Sequence, residues 1–190
     1  MVFNPTYVVG VYDRFFRFLR LFYPHGYKGL GLPPPKKSNI TTMAKGDRLY
    51  YKALHLAEQE DYDYHDVLHL LNESIRLGNK KASYALATWY LNGFHVRKNY
   101  KKGFSLLLNA VKGGTENKFT LYKDALSDIA VCYELGNGVQ KDKHKAYYYY
   151  FLAALNGDRQ AKQELSRCLY YGIGITKDVE LSSLIDEFVL

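Results

Sequence analysis

A glycine-centred turn recurs three times along this chain, and each copy stands between two stretches of helical pattern. The copies are LNGFHVRKN from Leu91, LGNGVQKD from Leu135 and YGIGITKD from Tyr171. Sliding the sequence on itself places Gly136 on Gly172, Val139 on Ile175 and Asp142 on Asp178, a period of 36 residues. The first copy lies 43 residues before the second, one period plus an insertion of seven, with Gly93, Val96 and Asn99 in register. A period of this length marks stacked supersecondary units, because one helix pair cannot bury its apolar face alone. The expected fold is all-α: a right-handed α/α solenoid of about four helix-turn-helix repeats, preceded by an N-terminal arm. Such an array offers a binding surface and no chemistry of its own.

The arm and its linker occupy residues 1–43. Residues 11–23 have a helical pattern in which Asp13, Arg14, Arg17 and Arg20 gather on one side. Val11, Phe15, Phe16, Phe18, Leu19 and Phe22 cover the rest, a wide apolar face. The segment HGYKGLGLPPPKKSN that follows holds three prolines and three glycines, which break helix and favour an extended connector. The solenoid is assigned to residues 44–190. It begins with a helix pair, 44–59 and 62–78, that lacks the glycine turn and reads as a degenerate first repeat. Repeat one is 82–114, repeat two 125–157 and repeat three 161–190, with residues 115–123 as the insertion.

Each repeated residue type has a physical reason. Ala82, Ala125 and Ala161 are small, so the first helix of each repeat (helix A) can approach its neighbour closely. Gly93, Gly136, Gly138, Gly172 and Gly174 are placed as structural turn residues, where positive φ penalises a side chain. Asn99, Asp142 and Asp178 stand where a side-chain oxygen would cap the second helix, helix B. This pattern resembles the Sel-one-like repeat family, a relative of the tetratricopeptide repeats with a longer loop. Repeat two matches the family pattern nearly throughout: Ala125, Ile129, Ala130, Tyr133, Gly136, Gly138, Val139, Asp142, Lys145, Ala146, Tyr149, Leu152, Ala153, Ala154 and Gly157. Repeat one departs at His95, which replaces the second turn glycine, and at Gly103. Repeat three departs at Leu181 and Ser182, where Lys-Ala is usual.

The resemblance implies a bacterial adaptor that binds proteins without catalysis or cofactor; the lack of a signal-peptide pattern and of a spanning apolar run points to the cytoplasm. It also implies that helix A lines the concave face. The helix-A positions left unclaimed by the pattern are therefore the candidate partner-binding residues. They form the rows Tyr84/Ser127/Gln163, Thr88/Val131/Arg167, Leu91/Glu134/Tyr170 and Asn92/Leu135/Tyr171. Mixed apolar, aromatic and charged content suits a protein ligand. Two versions follow: an immunity protein that neutralises a secreted antibacterial toxin, as in toxin-antitoxin pairs, or an adaptor engaging an effector or signalling protein.

Charge is unevenly placed. Residues 1–45 carry Arg14, Arg17, Arg20, Lys28, Lys36, Lys37 and Lys45 against Asp13 alone, six of the formal net +7. The repeats are nearly neutral, no basic stripe is expected along them, and nucleic acid is disfavoured as a partner. The arm suggests two other contacts, packing on the array or lying on a membrane surface with Arg14, Arg17 and Arg20 at the headgroups. A C-terminal helix ending Glu187-Phe188-Val189-Leu190 without a polar cap suggests an oligomer contact. No signal-peptide pattern and no apolar run of about 18 residues occurs.

Chemistry-bearing constellations are few. His65-Asp66-x-x-His69 places two imidazoles one helical turn apart, with Glu73 a turn further, as in a zinc-dependent hydrolase. Asp in place of the usual Glu, and a helix whose counterparts only pack, weigh against a metal site. Cys132 and Cys168 occupy equivalent positions of neighbouring repeats, about 10 Å apart on helix-packing distances, beyond disulfide reach. Free thiols in a reducing compartment follow. Among the 19 tyrosines, Tyr147-Tyr148-Tyr149-Tyr150-Phe151 run consecutively on one helix B. Consecutive residues point all round a helix, so two or three rings must pack and at least one must face solvent.

Overall fold

The structure, a computed structural model, describes residues 44–59, 61–113 and 122–187. The arm, with Arg14, Phe15, Phe16, Arg17, Phe18, Arg20 and Phe22, lies outside the described residues, as do residues 188–190 and most of the insertion. Eight helices and no strand occur among the described residues. They are α1 (Lys45–Ala57), α2 (Tyr64–Arg76), α3 (Lys80–Asn92), α4 (Tyr100–Val111), α5 (Tyr122–Leu135), α6 (Lys143–Leu155), α7 (Arg159–Tyr171) and α8 (Val179–Glu187). The chain divides into two units, residues 1–82 and 83–190, with the division inside α3.

In the first unit, α1 and α2 pack as an antiparallel pair around Tyr50, Ala53, Leu54, Ala57, Val67 and Leu71, all buried. Their close approach depends on small residues. The Ser74 hydroxyl donates to the Gly46 carbonyl at 2.6 Å, and a Cβ on Gly46 would stand 3.2 Å from that of Leu77. Asn79 then starts the next helix: its side-chain oxygen accepts the Ala82 amide at 2.7 Å while its amide donates to Asp47 at 2.6 Å. One buried side chain thus caps a helix and ties it back to α1.

The second unit holds the glycine turns, and the same hydrogen bonds recur in all three. The carbonyls of Trp89, Cys132 and Cys168, at equivalent positions, accept from the first turn amides. Those of Tyr90, Tyr133 and Leu169 accept from Asn99, Asp142 and Asp178 at 2.8, 2.9 and 2.9 Å. The side chains of these three residues then cap α4, α6 and α8 by accepting from Lys102, Lys145 and Leu181 at 3.0, 3.0 and 2.9 Å. Turn glycines Gly93, Gly136, Gly138, Gly172 and Gly174 all have φ between 69° and 80°.

The departure at His95 is one of residue type only. His95 takes φ +55° and keeps the turn, its ring packed on Trp89 and Phe94 at centroid distances of 5.2 and 3.9 Å. At Gly103, an added Cβ would come within 2.7 Å of Leu91, so the glycine makes room for a larger helix-A residue. At the third departure, Ser182 occupies the seat of Ala146, and its partner Ser166 that of Ala130. The two hydroxyls lie 2.9 Å apart and are buried. An alanine pair in one repeat is thus replaced by a hydrogen-bonded serine pair in the next.

Candidate functional site

Neighbouring repeats are joined by backbone contact at the second turn glycine. A Cβ on Gly138 would run into the Tyr100 carbonyl group and stand 2.7 Å from the Lys101 nitrogen. One on Gly174 would meet the Lys143 carbonyl group and stand 2.9 Å from the His144 nitrogen. Each turn therefore seats against the start of the preceding helix B. Positive φ alone does not explain these two glycines; the space beside them is occupied. His144 Nδ1 adds a 2.9 Å contact to the Gly174 carbonyl.

Aromatic and ionic contacts reinforce the stack. Phe104, Tyr133 and Tyr149 form a ladder from α4 through α5 to α6, with centroids 5.3 and 5.6 Å apart. On the helix-A side, one Arg167 nitrogen donates to both Glu134 oxygens at 2.8 and 3.0 Å, and Nε donates to Glu164 at 2.7 Å. Tyr150, buried, donates its hydroxyl to Glu134 at 3.0 Å. Two carboxylates share one guanidinium, so this patch is acidic on balance. The groups are partly shielded from water, which strengthens the pairing over that of an exposed bridge.

The candidate partner-binding residues separate into three groups. Tyr84, Thr88 and Ser127 are buried and present no surface, which corrects their assignment. Tyr84 donates to Asp128 at 3.1 Å and Ser127 to Asp158 at 2.6 Å, so that row faces the following repeat. Thr88 returns its hydroxyl to the Ala85 carbonyl of its own helix at 2.8 Å. Glu134 and Arg167 tie repeats together, Leu91 folds toward Gly103, and Asn92 bonds the Thr88 carbonyl at 2.9 Å. Val131 is half-buried.

Gln163, Leu135, Tyr170 and Tyr171 remain exposed. Leu135 and Tyr171 are 51% and 68% accessible, large apolar groups at equivalent positions of successive repeats. The Tyr170 and Tyr171 rings meet edge to face at 4.8 Å. On α6, Tyr150 is buried, Tyr147 and Tyr149 are half-buried, and Tyr148 and Phe151 are exposed, the division that consecutive rings require.

His65 and His69 are both exposed on α2. The His65 ring lies against Tyr64, centroids 4.1 Å apart, and Glu73 pairs with Arg76 at 2.8 Å. Among the described residues no three His, Cys, Asp or Glu side chains converge as a metal site would need. Cys132 and Cys168 are free and buried, and burial pushes both thiols up to about 12. At Cys168 the charges of Glu134 and Glu164 add to the effect of burial, and Arg167 opposes it. Neither thiol has the thiolate character a nucleophile needs. No helix among the described residues is long and apolar enough to cross a membrane.

Helix pairs closed by a glycine turn and stacked through that turn define an all-α repeat protein, a class whose repeats generally mediate protein–protein contact. The chain belongs to the Sel1 repeat family: the family pattern matches residues 80–114, 123–158 and 160–182. No curated protein matches the sequence. Among solved structures, a Sel1 repeat protein from Oxalobacter formigenes is 29% identical, with a TM-score of 0.54 over 64% of this chain and 86% of that one. The fold is also that of c5321, a protective antigen present in uropathogenic Escherichia coli strains displaying an SLR fold. That chain is 20% identical with a TM-score of 0.67, and the match covers 80% of this chain and 32% of the other.

Proposed function

We propose that this protein is a non-catalytic scaffold that binds a protein partner through the helix-A surface around Leu135, Gln163, Tyr170 and Tyr171. The supporting observation is the pair Tyr170–Tyr171, two exposed rings beside an ion-paired platform, with Leu135 one repeat away. Exposed tyrosines anchored on a rigid helix are efficient contact residues, because little side-chain freedom is lost on binding. The more specific form of this reading, one of the two that the family resemblance suggests, is an immunity protein that holds a secreted antibacterial toxin inactive by covering its active site.

The tagged full chain, and the same chain with Tyr170→Ser and Tyr171→Ser, are used to capture partners from the native host. A stoichiometric protein retained by the first and lost by the second is the expected result. Loss of two anchoring rings weakens binding by ~30-fold or more, on about 2 kcal/mol for a hot-spot ring. Recovery of no such protein overturns the scaffold reading. Expression of the recovered protein alone should arrest growth, with co-expression restoring it; a harmless partner overturns the immunity reading and leaves the scaffold intact. A membrane-peripheral adaptor is the second reading, carried by the amphipathic pattern of residues 11–23. It requires binding to anionic liposomes that disappears when Phe15, Phe16, Phe18 and Phe22 become Ser.

A further inference from the structure

The cations of the second unit are sorted along one edge. Ten-residue windows in register across the three turns, 93–102, 136–145 and 172–181, hold different charge. The first has Arg97, Lys98, Lys101 and Lys102 and no acid. The second has Lys141, Lys143 and Lys145 with Asp142. The third has Lys177 alone with Asp178 and Glu180. All eight cations are exposed. Lys98, Lys141 and Lys177 hold the same position in each turn. The edge is continuous, because the second turn seats on the backbone of Tyr100 and Lys101 through Gly138, and the third on Lys143 and His144 through Gly174. A basic edge therefore does run along the repeats, contrary to what their near-neutral totals suggest. Its charge falls steadily and changes sign at the third repeat.

Several of these lysines are held in place. Lys102 donates to the Tyr90 hydroxyl at 2.7 Å, its nitrogen 4.2 Å from the ring centroid. Lys98, Lys145 and Lys177 lie over Tyr100, Tyr133 and Tyr170 at 5.6, 5.3 and 5.6 Å. Lys145 also pairs with Asp142 at 3.3 Å. Lys101, Lys141 and Lys143 are not committed to any of these contacts. Tyr100, 40% exposed, adds an apolar surface among the charges.

We propose that this turn edge is a second binding surface, distinct from the helix-A face, for a short acidic segment of a protein partner. The segment lies along the edge with its carboxylates over the first and second turns. The gradient selects the ligand class. A nucleic-acid strand or a lipid surface carries uniform negative charge and would be repelled at Asp178 and Glu180. A peptide can carry its acids at one end. Helix-packing distances set successive turns about 8–10 Å apart, which is roughly three residues of extended chain. An acidic run of about six residues therefore spans the two basic turns.

Binding of the full chain to a fluorescein-labelled peptide of six glutamates followed by Leu-Tyr is measured by anisotropy at low and physiological salt. An oligothymidylate of six phosphates and phosphatidylserine vesicles are the comparison probes. Charge reversal at Lys98 and Lys101 (to Glu) is expected to weaken peptide binding by about tenfold, and at Lys141 and Lys143 by a similar factor. Lys177→Glu should change it by less than about twofold, and added salt should weaken it for the wild type. These side chains are exposed, so circular dichroism should be unchanged. Peptide binding that ignores both pairs of reversals overturns the proposal. So does oligothymidylate or vesicle binding that is as tight as the peptide's and lost with the same reversals. The helix-A variant Tyr171→Ser, which leaves Tyr170 beneath Lys177, should bind the peptide as the wild type does, which separates this surface from the partner site above.

Discussion

Replacing Gly138 with alanine separates the two demands that a turn glycine can meet. The first is conformational. Gly138 has φ +78°, where an alanine costs about 1–2 kcal/mol. The second is space. The added methyl would run into the Tyr100 carbonyl group and approach the Lys101 nitrogen to 2.7 Å. Backbone cannot rotate out of the way as a side chain can, so the repeats must part or the turn must deform, at ~1–3 kcal/mol by analogy with overpacked cores. Gly157 supplies the control: its φ is +81° but nothing lies within 4 Å of its Cβ direction. There the conformational cost stands alone, reduced by about 0.4–1 kcal/mol because alanine also restricts the unfolded chain.

Gly138→Ala should therefore be less stable than Gly157→Ala by about 2 kcal/mol. In a chain of this size that is a Tm difference of roughly 4–8 °C. Parallel thermal and urea melts followed by circular dichroism measure both. Gly174→Ala should group with Gly138→Ala, since its methyl meets the Lys143 carbonyl group in the same way. Equal losses at Gly138 and Gly157 would refute the seating of turn on helix as a stabilising contact. A near-neutral Gly138→Ala would refute both parts of the reasoning.

Three further outcomes follow from the packing. Ser182→Ala should cost about 1 kcal/mol by removing the 2.9 Å bond between the buried hydroxyls, which leaves the Ser166 hydroxyl only its longer 3.3 Å bond to the residue-182 carbonyl, while Ser166→Ala/Ser182→Ala recreates the Ala130/Ala146 pair and recovers most of the loss, as a double-mutant cycle in urea would read. Cys132 and Cys168, with thiols pushed up to about 12, should fail to react with a thiol reagent at neutral pH until the protein is unfolded, and prompt reaction in the native state would contradict their burial. The Asp142 carboxyl is held below the usual carboxylate range, chiefly by the Lys145 backbone amide it caps. Its contribution is therefore present above that range and fades as pH falls through the lowered value; Asp142→Ala should lower Tm at neutral pH and have less effect in acid.

Periodicity carried the fold into view because each repeat faces the same requirements: a small residue where helices touch, positive φ at the turn, an oxygen at the next helix start. Those requirements are local, and local chemistry is written in residue type. The helix-A rows were less legible. Tyr84, Ser127 and Gln163 are equivalent in sequence, yet Tyr84 and Ser127 are buried by the repeat that follows them. Gln163 has no following repeat among the described residues and stays exposed. Exposure along an array depends on what stacks next, which an alignment of repeats averages away. Glu134 and Arg167 were likewise legible as polar positions, but their mutual pairing across repeats needed the third dimension. The turn-edge lysines had left a signal: Lys98, Lys141 and Lys177 share one register position. Totals of charge over whole repeats hid it, because Asp128, Glu134, Asp158 and Glu164 lie outside the turn windows.

The turn also determines how firmly this edge can recognise anything. Lysine side chains are long and mobile, and fixing one on binding costs entropy comparable with what an exposed charge contact returns. Here the backbone removes part of that disadvantage. Gly138 pins the second turn to the residues that carry Lys101, and Gly174 pins the third to those that carry Lys143. Spacing between successive charge sets is thus fixed by main-chain contact, before any side chain is ordered. Tyr90, Tyr100, Tyr133 and Tyr170 then restrain four of the lysines themselves. A ligand whose charges match that spacing meets a surface already arranged, and one with the same net charge at another spacing does not. Specificity on this edge therefore resides in the glycines as much as in the lysines.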